Sequence, residues 1–293
     1  MPPSVYYFLE YTAIFILLGW GILIVYRAGQ IYNGVIFTMI VGAYFTAVVT
    51  TKWGWPYWLA LMGAMSCGAF FAFIPALGLA RTRAFTMAIA TIGLIYISHT
   101  VIQNIAFLGG VRGIFRIPRV KNLLLISYIT VAIVGFLIYR LDHSHIGRAM
   151  ETSFIDPDLA VSLGLNRYWL SVFLQVFAGA LGAIAGSFHA ALIGSIMYQN
   201  YGFSLLLLLF CFLFVGGYTT MWGVVVFTPI LWAVSSFLPE GVSELRDLIY
   251  GVLLIVILII KPEGVIDKIM IHDITAKGRL KLRRLVKPGK FKA

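Results

Sequence analysis

The chain has 293 residues, 61% hydrophobic and 11% charged, with a net charge of +11. Soluble proteins carry about 25% charged residues, and here there is no Asp, Glu, Lys or Arg from Tyr168 to Pro239, which excludes a water-soluble globular protein. The composition fits an all-α, polytopic helical membrane protein with apolar spans of about 20 residues.

Taken in order, the first apolar run is Leu9 to Val25, ending at Arg27. RAGQIYNG follows, too polar to begin a simple span and too Gly-rich for a regular helix. Val35 to Val49 is a short second run, stopped by Thr50-Thr51-Lys52 and the WGWP turn, where Trp53, Trp55 and Trp58 suit the membrane interface. Fifteen residues rise only about 22 Å as a helix, short of a hydrocarbon core of ~30 Å. The missing length is therefore expected from the GQIYNG stretch, entering the membrane as irregular backbone that lines a cavity or is buried in protein.

The third run, Tyr57 to Leu79, contains Pro75, which should kink it, and stops at Arg81-Thr82-Arg83. The fourth, Phe85 to Ala106, carries His99, Gln103 and Asn104 on one helical face. A Gly-rich basic loop, GGVRGIFRIPRVK, leads to the fifth run, Leu123 to Tyr139. Four more follow: Tyr168 to Ile193, Phe203 to Val215, Val224 to Leu238 and Leu248 to Ile260, the last ended by Pro262 and Gly264. The count is nine crossings, within an expected range of about eight to ten. In the sixth run, Ala178 to Gly186 is almost entirely Gly and Ala and should permit close helix approach.

Between the fifth and sixth runs lies RLDHSHIGRAMETSFIDPDLAVSLGLNR, Arg140 to Arg167, the longest polar stretch before the tail. Gly147-Arg148-Ala149 opens a helix. Asp156-Pro157 starts another, with Asp156 as N-cap and Pro157 at the first helical position. Leu159, Ala160, Leu163 and Gly164 recur at helical spacing. Two short helices with a capped break make a docking knob for a soluble partner; the bland alternative is a solvated loop.

The tail from Pro262 to Ala293 holds nine Lys or Arg against three Asp or Glu. The positive-inside rule reads it as cytoplasmic, with anionic lipid headgroups as its cheapest partner. Its aromatic content is Phe291 alone, so nucleic acid is not expected. With the tail and the Arg140–Arg167 stretch inside, sixteen Lys or Arg fall inside and six outside. Arg112, Arg116, Arg119 and Lys121 are the outside cluster. Cys67 and Cys211 read as small core hydrophobes with no disulfide or metal framework. No removable signal peptide is expected at the N-terminus. The chain divides into a membrane domain, residues 1–265, and a basic tail, residues 266–293.

No phosphate loop, HExxH or GxSxG pattern occurs. Among the ionisable groups of the apolar runs only His99 and His189 are read as candidates for coupling, fewer than an ion-coupled carrier usually keeps. No catalytic or metal-binding residue is expected. What remains is a pore-former powered from elsewhere.

Four blocks then carry a resemblance. GQIYNGVIFTMIVGAYFTA resembles GQxSLGxAxFxxIGAYTAA. TIGLIYISHTVIQN with GGVRGI resembles TLGxAEIxxxxxxN with TGGPNGI. SHIGRAMETSFIDPDLAVSLGLNRYWLSVFLQVFAGALGAIAGSFHA resembles SPxGRAxxAIREDExAAxxLGINxxxxKLxAFxxSAxxAGxAGxLxA. VGGYTTMWGVVV and RDLIYGVLLIVILIIKPEGV resemble LGGxGTLWGPxx and GLLLIxxxLFxPxGL. Over Gly29 to Val265 the chain thus resembles permeases of branched-chain amino-acid ABC importers, on the LivM side of the LivH/LivM family. Three departures stand out. An acid ahead of the family's GG turn falls at Leu208, its SLGH or SLGQ is YNGV, and its AIREDE is ETSFIDPD.

The resemblance implies a permease subunit in the cytoplasmic (inner) membrane, working with a second LivH-like permease subunit, two ATPase subunits and an external solute-binding protein. ATP and Mg would be bound on the ATPases, with no cofactor here. Gly147, Arg148, Glu151, Asp156, Asp158 and Gly164 are expected at the ATPase contact. Gln30, Asn33, His99, Gln103 and Asn104 are expected along the solute pathway, and Arg112, Arg116 and Arg119 at the binding protein. Branched-chain or other apolar amino acids are the implied solutes; urea, short amides and small aromatic acids remain alternatives within the family. A stand-alone secondary carrier or a non-transporting scaffold are the readings from other classes.

Overall fold

The computed structural model describes residues 3–236 and 246–260; the basic tail, Pro262 and Gly264 lie outside the described residues. The described chain is a helical bundle: α1 (Pro3–Tyr26), α2 (Gly34–Lys52), α3 (Tyr57–Leu79), α4 (Ala84–Asn104), α5 (Leu123–Asp142), α6 (His145–Ile155), α7 (Pro157–Ser162), α8 (Arg167–Ile193), α9 (Phe203–Gly216), α10 (Met221–Ser236) and α11 (Arg246–Ile260). Two-residue strands β1 (Ile114–Phe115) and β2 (Ser195–Ile196) pair antiparallel.

Among the described residues seven helices are long and apolar enough to cross a membrane, the seventh counted from Tyr198 to Gly216; Met221–Val234 and Leu248–Ile260 are shorter apolar helices. Each of the nine expected runs thus falls on a helix. The second differs in length. α2 has 19 residues, not fifteen, because Thr50 and Thr51 do not stop it. Their hydroxyls donate back to the Thr46 and Ala47 carbonyls, at 2.7 and 2.5 Å, which keeps such residues compatible with a membrane helix. α3 likewise continues as helix through Pro75.

α8 is the axis of the bundle. On its Gly/Ala run, a Cβ added at Gly182 would run into Thr38 and the Val35 carbonyl. One at Gly186 would run into the Met39 carbonyl. From the other side, a Cβ at Gly42 would strike the Ala183 backbone, and one at Gly68 the Ala183 side chain. α3 presents Ala60, Ala64, Gly68, Ala72 and Ala76, one per turn, as its buried stripe. Close packing of small residues is how helices associate where lipid offers no hydrophobic drive. α1 and α2 are buried nearly all round, whereas α3, α4 and α5 expose most of their surface. A helix apolar on every side belongs in a core or in lipid.

The ends of the helices sort onto two sides. On one, β1 pairs with β2, Ile117 N donates to Gly194 O at 3.0 Å, and Lys52 Nζ donates to Phe107 O at 2.5 Å. On the other, Arg27 meets Asp142, and Tyr168 OH donates to Leu77 O at 3.1 Å. α6 and α7 lie on this second side, between α5 and α8.

Candidate functional site

The α6–α7 knob is built by local chemistry. Ser144 caps α6, its side chain accepting from Ile146 N at 3.1 Å, so the helix starts at His145, just ahead of Gly147. Asp156 caps α7 as expected, its Oδ1 accepting from Asp158 N and Leu159 N at 2.9 and 3.1 Å. α7 ends on Gly164, at φ +81°. There Gly164 N reaches Val161 O and Leu165 N reaches Ala160 O, at 2.9 and 3.1 Å, the paired bonds of a Schellman close.

Two of the residues expected at an ATPase contact are thereby given structural work. Gly147 is buried against α5, where a Cβ would strike the Asp142 and Leu141 carbonyls. Gly164 supplies the left-handed turn. Arg148, Glu151, Asp156 and Asp158 are exposed; Arg148 Nη2 lies 2.8 Å from His145 Nδ1. The expected apolar stripe splits: Ala160 is buried, while Leu159 and Leu163 are 48% and 66% exposed and Ile155, at the α6–α7 corner, is 75% exposed. The knob therefore presents an apolar crest among charges. Charge patterning alone does not reveal it.

Above the knob the α1–α2 linker turns inward. Gly29, at φ +78°, lies against the Ser153 carbonyl and Phe154. Gln30 to Asn33 have no regular secondary structure, yet Gln30, Tyr32 and Asn33 are buried. Ser171 Oγ donates to Gln30 Oε1 at 2.7 Å, and Gln175 Nε2 donates to Ser171 Oγ at 2.8 Å. Asn33 Nδ2 donates to Ala88 O and Asn33 N donates to Thr91 Oγ1, both at 3.1 Å. These partners lie in the second and third turns of α8 and α4, so irregular backbone sits among helices rather than beyond their ends. Asn33 Oδ1, Gln175 Oε1 and Tyr32 OH have no hydrogen-bond partner among the described residues. The linker is irregular and buried as expected, but lost span length is not the cause, since α2 is complete.

The sequence profile of the family described as "Branched-chain amino acid transport system / permease component" matches residues 4–258. The chain belongs to that family of permeases. It is 25% identical over 292 residues to "High-affinity branched-chain amino acid transport system permease protein LivM" of Escherichia coli (strain K12), covering 87% of this chain and 68% of that one. The protein of the same name from Salmonella typhimurium (strain LT2) matches with the same figures. No solved structure matches.

In this permease the five residues expected along the pathway do not come together. Gln30 and Asn33 lie toward the knob. His99 is eleven residues beyond Ala88 on α4, about 16 Å of helix rise. Its Nε2 lies 3.2 Å from Tyr201 O. Gln103 and Asn104 follow at the far end of α4, both exposed, and Asn104 Nδ2 donates to its own helix at Thr100 O, 2.8 Å. The three share a helical face as expected, but α4 half-buries His99 against Tyr201 and Tyr198 and leaves Gln103 and Asn104 exposed. Gln175, absent from the expected set, joins the buried amides instead. Arg112, Arg116 and Arg119 are all exposed on the far side, Arg116 at φ +62°.

One ionisable residue of the first run was passed over. Glu10 is fully buried within α1. The Tyr6 and Ser127 hydroxyls lie beside it, off hydrogen-bonding geometry, and Ser127 Oγ donates to Leu124 O at 3.0 Å. α1 starts at Pro3, ahead of the apolar run that begins at Leu9, which puts Glu10 two turns inside the helix.

Proposed function

We propose that this permease imports branched-chain or other apolar amino acids as one of two permease subunits, the second LivH-like, driven by two ATPase subunits and supplied by an external solute-binding protein. ATP and Mg are bound on the ATPases, and this subunit carries out no bond chemistry. The observation that carries the reading is the family match over residues 4–258, together with a capped, apolar-crested knob set between two long helices. Ile155, Leu159 and Leu163 dock in the ATPase surface, with Arg148, Glu151 and Asp158 around them. Gln30, Asn33 and Gln175 line the inner part of the pathway, and His99 its outer part. Arg112, Arg116 and Arg119 meet the binding protein. The knob and the basic tail face the cytoplasm, the tail against anionic lipid.

The test is uptake of radiolabelled leucine by proteoliposomes holding the complete complex. Uptake requires ATP inside the vesicles and is competed by isoleucine and valine. Uptake without ATP would favour a secondary carrier. Competition by urea or acetamide in place of isoleucine would move the solute to the amide branch of the family.

A further inference from the structure

We propose that the α1–α2 linker is the positioning element that carries movement of the knob into the buried amide cluster, with the Arg27–Asp142 ion pair as its anchor. The proposal rests on the knob being the ATPase contact. Arg27 Nη1 and Asp142 Oδ1 are 2.5 Å apart, with side chains 12% and 18% exposed, so the pair is largely shielded from solvent and salt. Asp142 is the last residue of α5, and α6 begins three positions later. The start of α6 is fixed to that end, because Gly147 leaves no room between it and the Leu141 and Asp142 carbonyls. Arg27 is thus held to the corner from which the knob projects.

The next contact is on α6 itself. The place of a Cβ on Gly29 is 3.3 Å from Ser153 O and 3.4 Å from Phe154 Cα. Phe154 also packs at 6.0 Å from the Tyr26 ring and 5.8 Å from the Tyr218 ring. Ser153 Oγ accepts from Arg167 Nε at 3.0 Å, tying α6 to the start of α8. Beyond Gly29 the chain enters the bundle, where Gln30 and Asn33 bond to α8 and α4. A displacement of α6 therefore either breaks the ion pair or draws the linker with it. The linker can follow, because irregular residues absorb changes in φ and ψ without breaking a helix.

The far end has somewhere to go. Asn33 Oδ1 and Gln175 Oε1 are buried acceptors with no partner among the described residues. The amide cluster thus has spare acceptors for a second hydrogen-bond arrangement, the kind of two-state element through which coupling travels. Arg27 and Asp142 are positioning residues in this scheme; neither needs to touch solute or nucleotide.

The experiment uses the complete complex in proteoliposomes and reads ATP hydrolysed per leucine imported. Arg27→Ala and Asp142→Ala each raise that ratio about fivefold or more, the low end of a coupling between sites, while the ATPases remain bound. The charge-swapped double variant, Arg27→Asp with Asp142→Arg, brings it back to within about twofold of the unaltered complex, because the attraction is restored. A merely structural role would lower hydrolysis and uptake together and leave the ratio unchanged; that result overturns the proposal. So does failure of the swap to restore coupling when both singles are uncoupled. Failure of the ATPases to associate with the unaltered permease overturns the docking reading instead, and this proposal falls with it.

Discussion

Gly186 sits where α8 meets α2 backbone to backbone, and a single methyl there would run into the Met39 carbonyl and approach Ala43 N. Neither obstacle is a side chain that can swing away. Gly186→Ala is expected to destabilise the permease by about 1–3 kcal/mol, as overpacking of a core does, and to lower its unfolding temperature in detergent. Gly93, in the middle of α4, has nothing within 4 Å of its Cβ position. Gly93→Ala should therefore raise stability by about 0.5–1 kcal/mol through backbone entropy alone. Equal effects at the two positions would contradict the packing account. The Gly/Ala run announced this contact in the sequence, because so few larger side chains occur there. Glu10 could not be read the same way. Its depth depends on where α1 starts, and Pro3 to Tyr7 do not look apolar enough to belong to a span. Gln30 and Asn33 stood out as polar residues beside an apolar run. That their partners are Ser171, Ala88 and Thr91 is a matter of tertiary approach, which spacing does not encode.

At the scale of the element, α6 and α7 show which signals survive without the fold. The Asp156-Pro157 cap depends on four consecutive residues, and the structure forms it as the sequence predicts. The face that α7 turns outward depends on how α5 and α8 approach it, so Leu159 and Leu163 could not be separated from Ala160 by periodicity. The same holds for α4, where spacing put His99, Gln103 and Asn104 on one face but could not show that His99 alone of the three packs on a neighbouring segment. Because α7 has six residues, its cap carries a large part of its stability. Asp156→Ala removes two hydrogen bonds to the first turn and should cost about 1 kcal/mol, speeding amide exchange across residues 158–162 about fivefold while α5 and α8 are unchanged. Exchange at the unaltered rate would show that packing on α8, rather than the cap, holds α7 in place.

At the scale of the whole molecule, nine apolar helices among the described residues, close packing along the Gly/Ala run of α8 and a polar stretch between α5 and α8 follow from the sequence because hydropathy and small-residue patterns are long and repeated. In the proposed mechanism the apolar crest of the knob receives the ATPases. The most direct measurement is ATP-driven leucine uptake, with ATPase retention on purification, for Ile155→Asp with Leu163→Asp in the complete complex. Both side chains are exposed, so the permease should fold and pair with its partner subunit as before. A loss of about tenfold or more is expected in uptake and in ATPase retention, the effect of ~1.4 kcal/mol removed from the contact. Unaltered uptake with the ATPases still bound would contradict it.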